Sequence, residues 1–338
     1  MPGVLPVTAA DREAIDKILG IFRGGRRFLA SAHARSDPDA LGTGLVLVRL
    51  LRKMGKEAHM VVDGGTLPEF RFLPGSDEVG AGPEDLRPPY DAMTVTDSGN
   101  IDRLERIQAA VTPGLPIINI DHHATNTRFG TVNWIDLGAA AVGEIVYKLV
   151  VESGVGLDRE MAVNLYTSLY TDTGRFSFSN VTPNTHRLAA ELLTYGVEPA
   201  VISKELYRSN SLTDIRLMAA CMNAMKLDPK GRLGWIRLTD RMMNEAGTHP
   251  QETEDYVHMV KSIKGIEVAV LLRELHEPER IKVSWRSEAV VDVCAIAKRF
   301  GGGGHVRAAG CSIHDKSIAD AEDAVLAATR EAMAKAGL

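Results

Sequence analysis

The chain has little cysteine: three residues in 338, Cys221, Cys294 and Cys311. They are too few and too scattered for a disulfide framework or a thiolate zinc cluster, and they fit a reducing cytosol. There is no run of about 18 consecutive apolar residues, so no membrane span is expected. Residues 1–19 lack a basic segment followed by an apolar one, so no secretory signal is expected either. The expected location is cytoplasmic. Positive charge is not in excess: the formal net charge is −5. That argues against broad binding to long duplex nucleic acid. Small phosphorylated ligands stay open, because arginines and metal ions can reverse the field inside a cleft.

What is present is ordinary for a soluble globular protein, with 45% apolar and 25% charged residues. The length suits two domains and a sizeable core. No internal repeat or low-complexity segment stands out, and the glycine run 301–304 is too short to count as one.

The first half alternates strand-like and helix-like stretches. Arg27–Ala32 reads as a strand ending at His33. Apolar residues at helical spacing (Leu41, Leu45, Val48, Leu51) predict a helix over Ala40–Met54, closed by Gly55. His59–Val62, Ala92–Thr96 and Pro116–Ile120 read as three more strands, the last two ending at Asp97 and Asp121. This alternation predicts an α/β fold with a mostly parallel sheet and helices on both faces. Helices are expected over Ala139–Val151 and Arg159–Tyr170, from Pro183 onward with that proline in the first turn, and over Pro199–Tyr207 and Leu212–Met225. Strands at Gly234–Leu238, Glu267–Glu274, Ile281–Trp285 and Ala308–Ile313 alternate with helices at Met259–Ile263, Val291–Phe300 and Ile318–Ala334. Gly301–Gly304 reads as a loop. This last third predicts a smaller α+β domain. The expected division is 1–193 for a first domain, 194–211 for a helical connector and 212–338 for a second domain.

Four clusters carry chemistry: His33-Ala-Arg-Ser-Asp37-Pro-Asp39, Thr96-Asp97-Ser98-Gly99, Asp121-His122-His123 and Thr171-Asp172-Thr173-Gly174-Arg175. Three begin where a predicted parallel strand ends, and ligands of open α/β sheets bind beyond those ends. Asp172, at the end of a helix, can reach the same crevice. A single Asp after a strand is ordinarily a turn residue or an N-cap. The combination is different. Five carboxylates and three imidazoles on converging loops would repel or desolvate one another without cations. Oxygen and imidazole donors with no thiolate favour Mn²⁺ or a similar ion over structural zinc. Two metals about 3.5–4 Å apart can orient a phosphate and neutralise its attacking and leaving oxygens.

HARSDPDALG, TDSG, IDHH and TDTG, in this order and spacing, resemble motifs I to IV of the DHH phosphoesterase family. VSWRS and GGGGHVRAAG resemble the DHHA1 domain that follows in one branch of it. The resemblance runs from about Phe28 to Ser312. It is nearest to the branch of bifunctional oligoribonucleases and 3′-phosphoadenosine 5′-phosphate phosphatases (the nanoRNase type), with cyclic-dinucleotide phosphodiesterases as near relatives. It implies that His33 and Asp37 bind one metal, that Asp39, His122 and Asp172 bind a second, and that Asp97 bridges both. It implies that Asp121 orients His122, that His123 faces the scissile phosphate, and that a hydroxide shared by the metals attacks in line. Motif I departs from the family in its Asp37-Pro38-Asp39 order. Family members carry a small residue between the aspartates, and Pro38 fixes φ and removes an N–H. Every expected ligand position is nevertheless filled.

The resemblance also implies a phosphate grip in the second domain, from Gly303, Gly304, His305 and Arg307, with Arg286 and Arg175 as further candidates and the active site in the cleft between domains. A glycine run lets backbone N–H groups approach a phosphate, although it serves equally as a turn into a strand. Phe176, Phe178 and Trp285 could stack a base, with core packing the more ordinary role for at least two of them. The expected partners are short RNA or a small nucleotide, without long duplex nucleic acid or membrane; a homodimer is one open form. The expected activity is hydrolysis of short oligoribonucleotides and 3′-phosphoadenosine 5′-phosphate. Alternatives are a phosphodiesterase for cyclic or linear dinucleotides, such as cyclic di-AMP or pApA, and a nucleotide-binding sensor without catalysis.

Overall fold

The computed structural model describes residues 4–207, 211–249, 253–276 and 279–338. The chain forms two compact units, Met1–Ser209 and Asn210–Leu338. Part of the connector expected at 194–211, residues 208–210, lies outside the described residues.

The first unit runs α1 (Ala9–Gly24), β1 (Arg27–Ala32), α2 (Pro38–Lys53), β2 (Glu57–Met60), β3 (Ala92–Thr96), β4 (Ile117–Asp121), β5 (Val132–Ile135), α3 (Val142–Ser153), α4 (Arg159–Asp172), α5 (Pro183–Leu193) and α6 (Pro199–Tyr207). The sheet is parallel throughout, in the order β2-β1-β3-β4-β5. Alternation sorts its side chains. Phe28, Ala30, Ala92, Ile118 and Ile120 face the core shared with α1, α2, α3 and α4. Leu29, Met93, Val95 and Ile117 face the other way, onto Leu104 and Ile107. That second face is covered by a 3-10 stretch, Ile101–Ala110, rather than by an α-helix.

Two helix entries have clear local causes. Thr8 and Asp11 form a capping box at the start of α1. Asp37 caps α2, accepting a hydrogen bond from the Ala40 amide at 3.0 Å, and Pro38 sits in the first turn where its missing N–H does no harm. Strand order reverses between β1 and β3, so the crevice of this sheet opens where His33 and Asp97 follow those two strands.

The second unit runs α7 (Leu212–Asn223), β6 (Lys226–Leu227), β7 (Leu233–Leu238), α8 (Asp240–Ala246), α9 (Glu254–Lys261), β8 (Val268–His276), β9 (Glu279–Ser287), α10 (Val293–Lys298), β10 (Gly303–His305), β11 (Ala308–Ile313) and α11 (Ile318–Lys335). Its sheet has the order β10-β11-β9-β8-β7-β6, with β7 and β8 parallel and the other neighbours antiparallel. One face packs on α10 and α11 around Trp285, whose indole N–H donates to Thr329 Oγ1 at 3.0 Å. The other packs on α7, α8 and α9.

Several elements differ from the sequence expectation, three of them as follows. The helix expected at Met259–Ile263 begins earlier and ends at Lys261. The glycine loop is in part a strand, because residues 303–305 pair with β11. The fourth strand extends to include Asp121, so this acid is the last strand residue rather than the first loop residue.

Candidate metal centre

Each acidic and histidine cluster sits at the end of an element. His33 follows β1, Asp37 and Asp39 open α2, Asp97 follows β3, Asp121 ends β4 with His122 and His123 after it, and Asp172 ends α4. Their donor atoms form three groups, each within 4.8 Å: His33, Asp37 and Asp97; Asp39, His122 and Asp172; and Asp97, His122 and His123. Asp97 belongs to two of them. Its Oδ2 lies 3.6 Å from His33 Nε2, and its Oδ1 lies 3.6 Å from His122 Nε2. His122 Nε2 is also 3.4 Å from Asp172 Oδ2.

The surroundings fix the imidazoles. His33 Nδ1 sits 2.9 Å from the Ala34 carbonyl, and His122 Nδ1 sits 3.1 Å from that of Ala139. A carbonyl only accepts, so Nδ1 is the donor in both rings and Nε2 is the nitrogen turned to the carboxylates, as a metal-binding histidine requires. Asp121 was expected to orient His122. Its Oδ1 instead lies 2.7 Å from His123 Nδ1 and accepts the backbone N–H of His122 at 2.8 Å. The side chain of His122 is thus steered by Ala139, and that of His123 by Asp121.

Burial without compensating charge marks the centre. Asp39 and Asp97 are 1% and 4% exposed. Burial, reinforced for Asp97 by the charges of Asp37 and Asp39, pushes the carboxyls of Asp97 and Asp172 well above the usual range, and Asp39 upward as well. Burial alone would lower His122, but Asp39, Asp172 and Asp97 outweigh it and raise it to about 9. Burial pulls His33 down, helped by the charge of Arg103. Asp97 Oδ1 is buried with no hydrogen-bond partner among the described residues, and Asp97 adopts φ +53, a left-handed conformation uncommon outside glycine. Hard oxygen donors, imidazoles with Nε2 turned inward and an orphaned carboxylate oxygen fit divalent cations. These residues can hold metal.

Sequence reasoning missed the supports. Ser168 Oγ donates to Asp39 Oδ1 at 2.6 Å, and the Val142 amide donates to Asp39 Oδ2 at 2.9 Å. Asn126 Nδ2 donates to Asp121 Oδ2, to Asn119 Oδ1 at 2.8 Å and to the Ser98 carbonyl at 3.2 Å, tying two strand-end loops together. An Asn three residues after the His-His pair was the available signal. Asn180 Nδ2 donates to the Asp172 carbonyl at 3.0 Å.

Of the candidate phosphate-binding residues, Arg175 lies in the first unit with its guanidinium 4.3 Å from the centre of the Tyr207 ring. In the second unit, His305 pairs with Ala308, which pairs with Arg286. The three form one cross-strand row, so His305 and Arg286 share a face. Burial lowers Arg286 to about 10. The guanidinium of Arg307 donates to the Val291 carbonyl at 3.1 Å. Packing explains much of the glycine run. A Cβ at Gly302 would meet the Gly310 carbonyl at 2.2 Å, and one at Gly304 the Ala308 carbonyl at 2.5 Å, whereas Gly303 faces open space. Of the three aromatics, Trp285 is fully buried and Phe176 packs among Tyr166, Tyr170 and His186, while Phe178 is 49% exposed.

The sequence profile of the DHH family, N-terminal domain, matches residues 27–171, and that of the DHHA1 domain matches residues 237–335. The chain is 36% identical over 313 residues to a Thermus thermophilus protein named bifunctional oligoribonuclease and PAP phosphatase NrnA, covering 91% of this chain and 90% of that protein. A Bacillus subtilis protein of the same name is 29% identical over 300 residues, 86% of this chain and 92% of the other. Among solved structures, an exopolyphosphatase-related protein from Bacteroides fragilis has a TM-score of 0.90 at 23% identity over 97% of this chain and 98% of that one, a likeness of fold.

Proposed function

Because the chain belongs to the DHH family, in the branch with a DHHA1 domain, and is a metal-dependent phosphoesterase, we propose that it hydrolyses short oligoribonucleotides and 3′-phosphoadenosine 5′-phosphate. The observation that carries this reading is the pair of donor groups, His33–Asp37–Asp97 and Asp39–His122–Asp172, joined through Asp97. The names of the Thermus and Bacillus relatives support the substrate class.

In this reading His33 and Asp37 hold one ion, Asp39, His122 and Asp172 a second, and Asp97 serves both. Two divalent ions, most readily Mn²⁺, would supply a water nucleophile active near neutral pH and neutralise phosphate charge. Asp121 accepts from His123 Nδ1, so the doubly protonated ring would be the form that donates from Nε2 to the scissile phosphate or the leaving oxygen. Catalysis is assigned to the first unit. A non-scissile phosphate is assigned to Gly303, Gly304, His305, Arg286 and Arg307 of the second. Arg175, stacked on Tyr207, is a further candidate for such a phosphate, since stacking leaves its in-plane N–H groups available. A cytoplasmic setting completes the proposal. It is supported by three unpaired, buried cysteines, of which burial raises Cys221 to about 11 and Cys311 to about 12.

The test is a substrate panel with Mn²⁺: 3′-phosphoadenosine 5′-phosphate, an RNA pentamer, pApA, cyclic di-AMP and pyrophosphate, beside an EDTA-treated sample. Release of mononucleotide from the pentamer and of phosphate from the bisphosphate, both abolished by EDTA, is the expected result. Preferential cleavage of cyclic di-AMP would replace the substrate assignment. No turnover despite bound metal would overturn the enzymatic reading.

A further inference from the structure

Three arginines stand on the loops around the metal centre without an assigned task. Arg35 lies between β1 and α2, Arg103 in the 3-10 stretch after β3, and Arg128 between β4 and β5. All three are exposed. None has a carboxylate in ion-pair reach among the described residues, whereas neighbouring Arg106 is held by Asp63 at both its backbone and its side chain. Arg103 is flanked by Asp102 and Glu105 along the chain, and the Asp102 carboxylate takes a hydrogen bond from Asn100.

Backbone contacts gather these loops into one rim. The Ala34 amide donates to the Arg103 carbonyl at 2.8 Å, placing Arg35 and Arg103 on adjoining segments. The Thr127 amide donates to the Gly99 carbonyl at 2.8 Å, bringing the segment before Arg128 against the loop that follows Asp97. The field of Arg103 is felt at His33, inside the first donor group. Arg35 and Arg128 both adopt φ +54, a left-handed conformation that favours glycine. Long side chains are held there by surrounding bonds such as that from the Arg128 amide to Asn126 Oδ1 at 2.7 Å. Non-glycine residues in this region carry backbone strain, and such strain clusters at ligand-binding loops.

We propose that Arg35, Arg103 and Arg128 form a phosphate-binding rim on the catalytic unit, which takes the backbone phosphates of a single-stranded oligonucleotide on either side of the linkage being cut. This rests on the phosphoesterase reading and deepens it: the rim selects oligonucleotides over mononucleotides. A mononucleotide has no flanking linkages to offer. An oligonucleotide brings a phosphate at every nucleotide, and guanidinium forks bind phosphate oxygens in pairs. In a chain whose net charge is −5, three unneutralised arginines at the mouth also draw a polyanion toward an otherwise acidic centre.

The test compares the wild type with the combined Arg35→Ala, Arg103→Ala and Arg128→Ala variant, after circular dichroism shows equal folding. The readout is the ratio of kcat/KM for an RNA pentamer to that for bis-p-nitrophenyl phosphate, a diester without flanking phosphates. The ratio should fall at least tenfold. Binding of a fluorescein-labelled pentamer, with Ca²⁺ in place of Mn²⁺, is then titrated against salt. Each lost single-strand phosphate contact reduces the slope of log K against log salt by about 0.7, so the slope should flatten by about 2. The three Arg→Lys changes should restore the slope more fully than the rate ratio. An unchanged ratio or slope would overturn the rim. If the wild type cut no RNA, the proposed function would fail, while the salt slope would still decide whether the rim binds the strand. Should the triple variant misfold, the single variants carry the same measurements at about a third of the slope change.

Discussion

Where the first unit buries acids at its candidate site, with Asp39, Asp97 and Asp121 at 1%, 4% and 0% exposure, the second draws bases into its sheet, with Arg273 7% exposed and Arg286 half-buried. The backbones differ in the same way. A parallel sheet gathers its polar side chains beyond the strand ends, as His33, Asp97 and His122 show. An antiparallel sheet displays them in rows across a face, as His305 and Arg286 do on either side of Ala308. The proposed hydrolysis would use both arrangements: converging carboxylates to concentrate metal, and an arginine and a histidine in line to meet an anion. The glycines follow suit. Those at 302 and 304 let β10 lie against β11, so strand packing itself builds the row that holds His305 and Arg286.

The sharpest way to break this contrast is at its acidic side. Asp97→Asn should lower hydrolysis by roughly three orders of magnitude or more, because one substitution weakens both donor groups. It should also raise the melting temperature of the metal-free protein, since it removes a carboxyl whose ionisation is disfavoured by burial and by the neighbouring Asp37 and Asp39. Mn²⁺ should stabilise the wild type far more than the variant in calorimetry. Activity within tenfold of wild type would show that Asp97 is not the shared ligand.

The basic side should respond differently. Arg286→Ala should raise KM for 3′-phosphoadenosine 5′-phosphate by roughly ten- to a hundredfold, the loss of a charged hydrogen bond worth about 1.5–3 kcal/mol. Mn²⁺ affinity, read by isothermal titration, should stay at the wild-type value. Loss of metal affinity together with KM would erase the separation of roles between the units.

The smallest effect is a slope. In the metal-free protein Asp39, Asp97 and Asp172 have folded-state pKa values above the ordinary carboxylate range. The folded state therefore holds more protons than the unfolded chain above that range, and stability falls as pH rises. His122, raised from 6.5 to about 9, has the same sign: its contribution is full below its unfolded value and is lost as pH climbs through about 9. Urea titrations near pH 5, 7 and 9 should show metal-free stability decreasing in that order, with saturating Mn²⁺ flattening or reversing the trend as it displaces these protons. A flat metal-free profile would mean that the acids are better solvated than their burial indicates.

Much of the first unit was legible because each apolar strand run stops at a polar residue. Arg27–Ala32 and Ala92–Thr96 are strands with the expected bounds, and the residues that follow them are metal-centre candidates. Less was legible where structure depends on distant partners. The bonds from Val142 and Ser168 to Asp39 span more than a hundred positions along the chain, so no local pattern announces them. The choice between His122 and His123 as partner of Asp121 turns on ring orientation, which spacing does not encode. β5 was missed because four residues with one fully buried side chain leave hardly any periodic signal. α1 was missed although Thr8 and Asp11 stand at capping-box spacing before it. In the second unit the glycines read as a loop because their need for close strand contact is invisible without the facing strand.

The left-handed backbone at position 97 also bears on how this site can change over evolutionary time. That conformation favours glycine, asparagine and aspartate. The shared-ligand role proposed for Asp97 would require a carboxylate, which leaves aspartate and glutamate. The two filters share a single amino acid, so conservative drift from Asp to Glu, harmless on many surfaces, is closed here. The easiest exit is asparagine, which keeps the backbone and the shape while giving up the charge. A lineage that took that step would keep the fold and, on the proposed reading, would pass from cleaving a phosphate ester to holding it.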